Sequence, residues 1–133
     1  MNNLTKENIA FILDKKVTEI VIGEDVVLYK CGDEMGDLVT DKELLELCMM
    51  KIEDSPMEMN LSSHRTFYLQ WNGNEWYSGF SHVKTNHGDI ITYQDLGSGK
   101  TRLECLLSLF TTRLKYGKWS ITQEEIEEKN KNG

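Results

Sequence analysis

No stretch of this chain approaches the ~18 consecutive apolar residues that a membrane span needs. Its first residues, Met1-Asn2-Asn3-Leu4-Thr5-Lys6-Glu7, lack the apolar run of a signal peptide. Cysteine is sparse. Cys31, Cys48 and Cys105 are odd in number and widely spaced, which argues for reduced, mostly buried thiols in a cytoplasmic protein. No cysteine–histidine spacing matches a zinc site, so neither metal nor cofactor is expected. Positive charge is also short: 15 Lys and Arg against 22 Asp and Glu leave a formal net charge of -7. Nucleic-acid binding requires basic side chains to neutralise phosphates, so no nucleic-acid partner is expected, and no membrane partner either. Two options remain: a small phosphorylated ligand held by a local cationic pocket, or a protein partner that is itself basic.

A chain of 133 residues suits one domain with a core of its own. Thr5 is placed to cap a first helix with Ile9, Ala10, Ile12 and Leu13 on its apolar stripe. Val17 to Ile22 and Val26 to Tyr29 read as a small hairpin about Gly23-Glu24-Asp25, although the first run also fits a helix tail. Thr40-Asp41-Lys42-Glu43 has the form of a capping box ahead of a helix that ends near Ser55-Pro56. A three-strand meander follows: Arg65 to Trp71, Glu75 to Val83 with a bulge at Gly79, and Asp89 to Tyr93. A long helix from about Arg102 to Tyr116 ends at Gly117. Thr122-Gln123-Glu124-Glu125 opens a short, highly charged last helix. The order predicts an α+β fold, an antiparallel β-meander packed with helices in a single domain over 1–121, with 122–133 as a charged helix and tail.

The segment from Tyr93 to Arg102 carries the strongest functional signal. It reads as a strand feeding a glycine-rich turn, Gly97-Ser98-Gly99, which opens into a helix with Lys100 and Arg102 at its first turn. Helix N-termini attract anions, and glycine lets a ligand approach the backbone. Arg102 sits where a cation opposes the helix dipole, so a nearby anion would explain it. A P-loop is not the leading reading, because Gln94 stands where that motif needs a glycine. The plainer account is a capping box, Thr101-Arg102-Leu103-Glu104.

Other chemistry is thin. His64 and His87 fall in predicted turns, and Gly97-Ser98-Gly99 lacks the spacing of a nucleophile elbow. Trp71, Trp76, Tyr77 and Phe80 cluster on one hairpin. Core packing explains many of them, but Trp76 and Tyr77 must point to opposite faces of a strand, so one leaves the helix-packed side and is free to stack on a base. Asn86 has the chemistry to read a base edge or a ribose hydroxyl, and equally to make an ordinary turn.

The order of these elements resembles the small ABA-sandwich proteins of phages. The matching residues are Leu44-Leu45-Glu46-Leu47-Cys48, Trp71 with Trp76-Tyr77, and Ser98 through Leu107. Within that group the chain is most similar to the anti-defence sponges that counter the Thoeris system. The resemblance implies sequestration, without turnover, of a cyclic ADP-ribose isomer made by bacterial TIR enzymes. It also implies pockets at a dimer interface and assemblies up to hexamers. Carried over by position, Arg102 would hold phosphate, Trp76 or Tyr77 would stack on adenine, and Asn86 would lie nearby. Lys51 and then Arg65 stand where a further cation is found. Lys100, Thr101 and Gly99 complete the expected ligand set. An acidic protein-binding inhibitor of a defence or toxin protein is the alternative, supported by the net charge and by Glu124-Glu125-Ile126-Glu127-Glu128. A small nucleotide-modifying enzyme is the third reading.

Overall fold

Thr5 begins the first helix as its sequence suggests, its hydroxyl accepting from the Asn8 N–H at 3.1 Å. The computed structural model describes residues 3–54, 64–83 and 90–117, with 127, 128 and 131 near the C-terminal end. Helix α1 (Lys6–Leu13) leads into three strands, β1 (Glu19–Ile22), β2 (Val26–Cys31) and β3 (Glu34–Val39). Helix α2 (Lys42–Asp54) separates these from β4 (His64–Trp71), β5 (Trp76–Val83) and β6 (Ile90–Gly99), and α3 (Arg102–Tyr116) closes the order. The fold is α+β: three helices and two antiparallel three-stranded meanders, ordered β1-β2-β3 and β4-β5-β6. Asn86, Trp119 and most of the 122–133 tail lie outside the described residues.

The first sheet has one strand more than the predicted hairpin. Glu34-Met35-Gly36-Asp37-Leu38-Val39 is poor in β-formers, yet it pairs along its length with β2, from Val26↔Val39 to Cys31↔Glu34. Gly32, at φ 67°, makes the turn between them, and the Tyr29 ring lies over Gly36 in the space a side chain would fill. Val27 and Leu38 face inward and join Ile9, Leu44, Cys48, Phe80 and Phe110 in one hydrophobic cluster. Both sheets therefore share a single core. Asn8 ties α1 to α3 within it, donating to the Leu107 carbonyl at 3.2 Å and to the Thr111 hydroxyl at 2.8 Å.

Strand β6 departs most from expectation. It does not stop at Tyr93 but runs to Gly99, so the predicted glycine-rich turn is strand, paired Ser78↔Gly97, Tyr77↔Ser98 and Trp76↔Gly99. Neither Gly97 nor Gly99 has positive φ. They are glycine because α3 lies against them: a Cβ on Gly97 would stand 2.5 Å from the Cys105 carbonyl oxygen and 2.7 Å from the Leu109 nitrogen. On Gly99 it would stand 2.7 Å from Glu104 Cβ and 2.8 Å from the Cys105 nitrogen. The bulge expected at Gly79 occurs at that point of the ladder, but the extra residue is Leu96 on β6, between the pairs Ser78↔Gly97 and Gly79↔Asp95. Thr112 on α3 donates to the carbonyl of Leu96 at 2.8 Å.

Gly97→Ala should destabilise the protein by about 1–3 kcal/mol, the usual cost of forcing extra volume into a packed contact, because the atoms it meets are helix backbone and cannot rotate away. Thermal melts of Gly97→Ala and the parent will measure it. An unchanged melting temperature would show that α3 can step back from β6.

Candidate functional site

The start of α3 is built by its caps. The Thr101 hydroxyl accepts from the Glu104 N–H at 3.1 Å, and the Glu104 carboxylate accepts from the Lys100 N–H at 3.2 Å. Glu104 thus reaches one residue further back than the reciprocal box predicts. Helix α2 does the same: Glu43 accepts from the Val39 N–H at 2.9 Å, while the buried Thr40 hydroxyl has no partner among the described residues. Ser98 donates its N–H to the Ser108 hydroxyl at 3.3 Å. The backbone donors of Ser98 and Lys100 are therefore engaged, and Gly99 is covered by α3. The open backbone cradle expected between Ser98 and Thr101 is not formed.

Side chains take its place. The tight link Lys100-Thr101 delivers Arg102 to the end of the β4–β5 hairpin, where its Cζ lies 5.6 Å from the Trp76 ring centroid. The Trp76 and Trp71 rings stand 5.7 Å apart, as directly opposed residues of the ladder. An arginine within ~6 Å of an indole face is held by the ring quadrupole, worth about 0.5–1 kcal/mol at an exposed site. That contact accounts for a cation at the first turn of a helix without calling on an anion. Lys100 reaches across to the Asn72-Gly73-Asn74 turn, its ammonium 3.3 Å from the Asn74 carbonyl oxygen. The result is a row of Lys100, Arg102, Trp76 and Trp71 on the rim of the second sheet. Trp71 is 51% exposed, the most open aromatic of the row. It belongs to the aromatic cluster in the sequence, but neither strand alternation nor spacing marks it as the solvent-facing member. Its place at the hairpin end does.

The other expected residues lie apart from this row. Tyr77 points to the opposite face of the sheet, where its hydroxyl donates to Gln70 at 2.6 Å and its ring meets Tyr68 at 5.9 Å. Lys51 projects toward α1, its ammonium 4.5 Å from the Phe11 centroid, beside Arg113 Cζ at 5.6 Å from the same ring. Arg113 is eleven residues along α3 from Arg102, about 16 Å at the helical rise. Arg65 pairs with His82 at the far end of β4, roughly 20 Å from Trp71 at the strand rise. One copy of the chain does not bring Lys51 or Arg65 to Arg102, and Asn86 falls outside the described residues.

Concavities of ≈ 250 Å³ beside the first sheet and ≈ 550 Å³ between α1 and Leu114 share no residue with the row. No group of three or more His, Cys, Asp or Glu suited to a metal ion occurs among the described residues. No described helix is long and apolar enough to cross a membrane. Cys48 is sealed in the core, and burial pushes its thiol from 9.0 up to about 12, the opposite of what a nucleophile requires. No protein-family model, curated protein or solved structure matches the chain.

The raised Cys48 pKa fixes a sign. Below the ordinary thiol value the folded and unfolded chains both hold the proton, and the contribution to stability is constant. As pH rises from 9 toward 12, the unfolded chain loses a proton that the folded chain keeps, so stability falls. Urea titrations across this range should show the parent losing stability relative to Cys48→Ala, and a constant difference between the two would refute the assignment.

Proposed function

We propose that this protein is a non-enzymatic binder that sequesters a cyclic nucleotide, in the manner of the phage anti-defence sponges it resembles. The ligand class is a cyclic ADP-ribose isomer made by bacterial TIR immune enzymes. The setting is the cytoplasm of an infected or lysogenic bacterial host, and the protein self-associates as a dimer or hexamer. The observation that carries the reading is the row of Arg102, Trp76 and half-exposed Trp71. Its chemistry suits a ligand with a flat base at one end and phosphates at the other. Base–aromatic stacking is worth about 1–3 kcal/mol. The guanidinium fork of Arg102 can donate two parallel hydrogen bonds to phosphate oxygens, and Lys100 adds a looser point charge.

Titration calorimetry against cyclic ADP-ribose isomers tests the assignment. Arg102→Ala should weaken binding by about 1.5–3 kcal/mol, the range of a charge-assisted hydrogen bond, with folding nearly unchanged because the Thr101–Glu104 cap remains. Trp71→Ala should weaken it by about 1–3 kcal/mol. Lys100→Ala should do less than either. Heating the loaded protein should release intact ligand, whereas an enzyme would release product. Equal, tight binding by Arg102→Ala and the parent would overturn the reading and leave the acidic protein inhibitor ahead.

A further inference from the structure

The first sheet has an unusual edge. Protein sheets commonly guard an outer strand with lysine, proline or inward-pointing charge. Strand β3 follows that habit, with Glu34 and Asp37 along it. Strand β1, the other edge, reads Glu19-Ile20-Val21-Ile22. It carries apolar side chains on both faces and no guard in its centre. Val21 is 54% and Ile22 55% exposed. No described strand flanks it on the side away from β2.

We propose that β1 is a self-pairing edge, joining two copies of this chain through an antiparallel β1–β1 contact about a two-fold axis. Three observations choose a second copy as occupant. The first is hydrogen bonding. Gly23 donates to the Val26 carbonyl, and by the alternation of an antiparallel ladder the backbone groups of Ile20 and Ile22 face away from β2. A two-fold that sets Val21 opposite Val21 of the partner subunit pairs Ile20 with Ile22 of the partner subunit, and the reverse. All four outward N–H groups then meet carbonyls. The second is side-chain match. In that register the outer face reads Leu28, Val21 and the same two residues of the partner, an unbroken apolar row, since Leu28 already opposes Val21. On the inner face, exposed Ile22 gains the partner subunit's Ile20 as neighbour.

The third observation is charge. The chain as a whole repels its copies, at net -7. Yet Lys15-Lys16 precede β1 and Glu24-Asp25 follow it, all four exposed. Antiparallel pairing brings the basic end of each strand to the acidic end of the other, a self-complementary arrangement that an isologous contact requires. A parallel pairing, or pairing through β3, does not.

The contact does not rest on nucleotide binding, and its test is independent. Light scattering after gel filtration at micromolar concentration should give the parent protein at least twice the 15.4 kDa chain mass. Val21→Lys should instead run as a single chain that keeps the parent's far-ultraviolet circular-dichroism spectrum and a cooperative melt, at a lower midpoint because the association no longer supports the fold. A charge swap makes the test specific to this geometry. The double variant Lys15→Glu, Lys16→Glu and the double variant Glu24→Lys, Asp25→Lys should each dissociate alone and pair when mixed. A monomeric parent, a Val21→Lys protein that stays associated, or a mixture that fails to pair would each overturn the proposal. The swap variants change only exposed charges, so they decide the matter even where Val21→Lys disturbs the strand.

Discussion

The rest of the structure depends on the distance between one strand and one helix. Strand β6 lies on α3 at backbone contact, and only hydrogen fits at the α-carbons of Gly97 and Gly99. The approach is then locked by hydrogen bonds. The Thr112 hydroxyl reaches the Leu96 carbonyl, the Ser98 N–H reaches the Ser108 hydroxyl, and Cys105 Sγ meets the buried Ser78 hydroxyl at 3.2 Å. Because β6 is paired to β5 and β5 to β4, fixing one strand on the helix fixes the whole second sheet. The two-residue link then leaves Arg102 no place but the end of the hairpin, beside Trp76.

Much of this is legible in the sequence. The Thr5 and Thr101 caps, the start of α2, the limits of α3 with its end at Gly117, and the meander of β4 and β5 follow from local chemistry, which acts within a few residues. The opposite orientations of Trp76 and Tyr77 follow from strand alternation alone. What was not legible depends on partners distant in the chain. Gly97-Ser98-Gly99 has the composition of a loop, and nothing within ten residues says that a helix will press on it. Strand β3 is weak by propensity and exists because β2 offers it a ladder and Leu38 reaches the core. Within one copy of the chain Lys51 and Arg65 stand far from Arg102, a separation set by the helix and strand between them that no local pattern carries.

The two sheets are covered differently, and that difference separates the molecule's surfaces. The second sheet is held against α3, and its polar and aromatic rim carries the cation-bearing row. The first sheet sends Val27 and Leu38 into the common core but leaves Leu28, Val21 and Met35 outward, with Met35 67% exposed. Its inner face is thus part of the fold, while its outer face and edge remain outside it. Sequence alternation is consistent with this, but the degree of cover over each face is a tertiary property.

Helix α3 supplies Leu103, Leu106, Leu107, Leu109 and Phe110 to the core and comes after every sheet strand in chain order. During synthesis the ribosome therefore emits two meanders and two helices before the element that covers them. The apolar faces of Val27, Leu44 and Phe80 have no seat until about residue 110 has cleared the exit tunnel. Folding of the common core therefore waits on the last of its elements, and the earlier ones hold apolar surface uncovered until then.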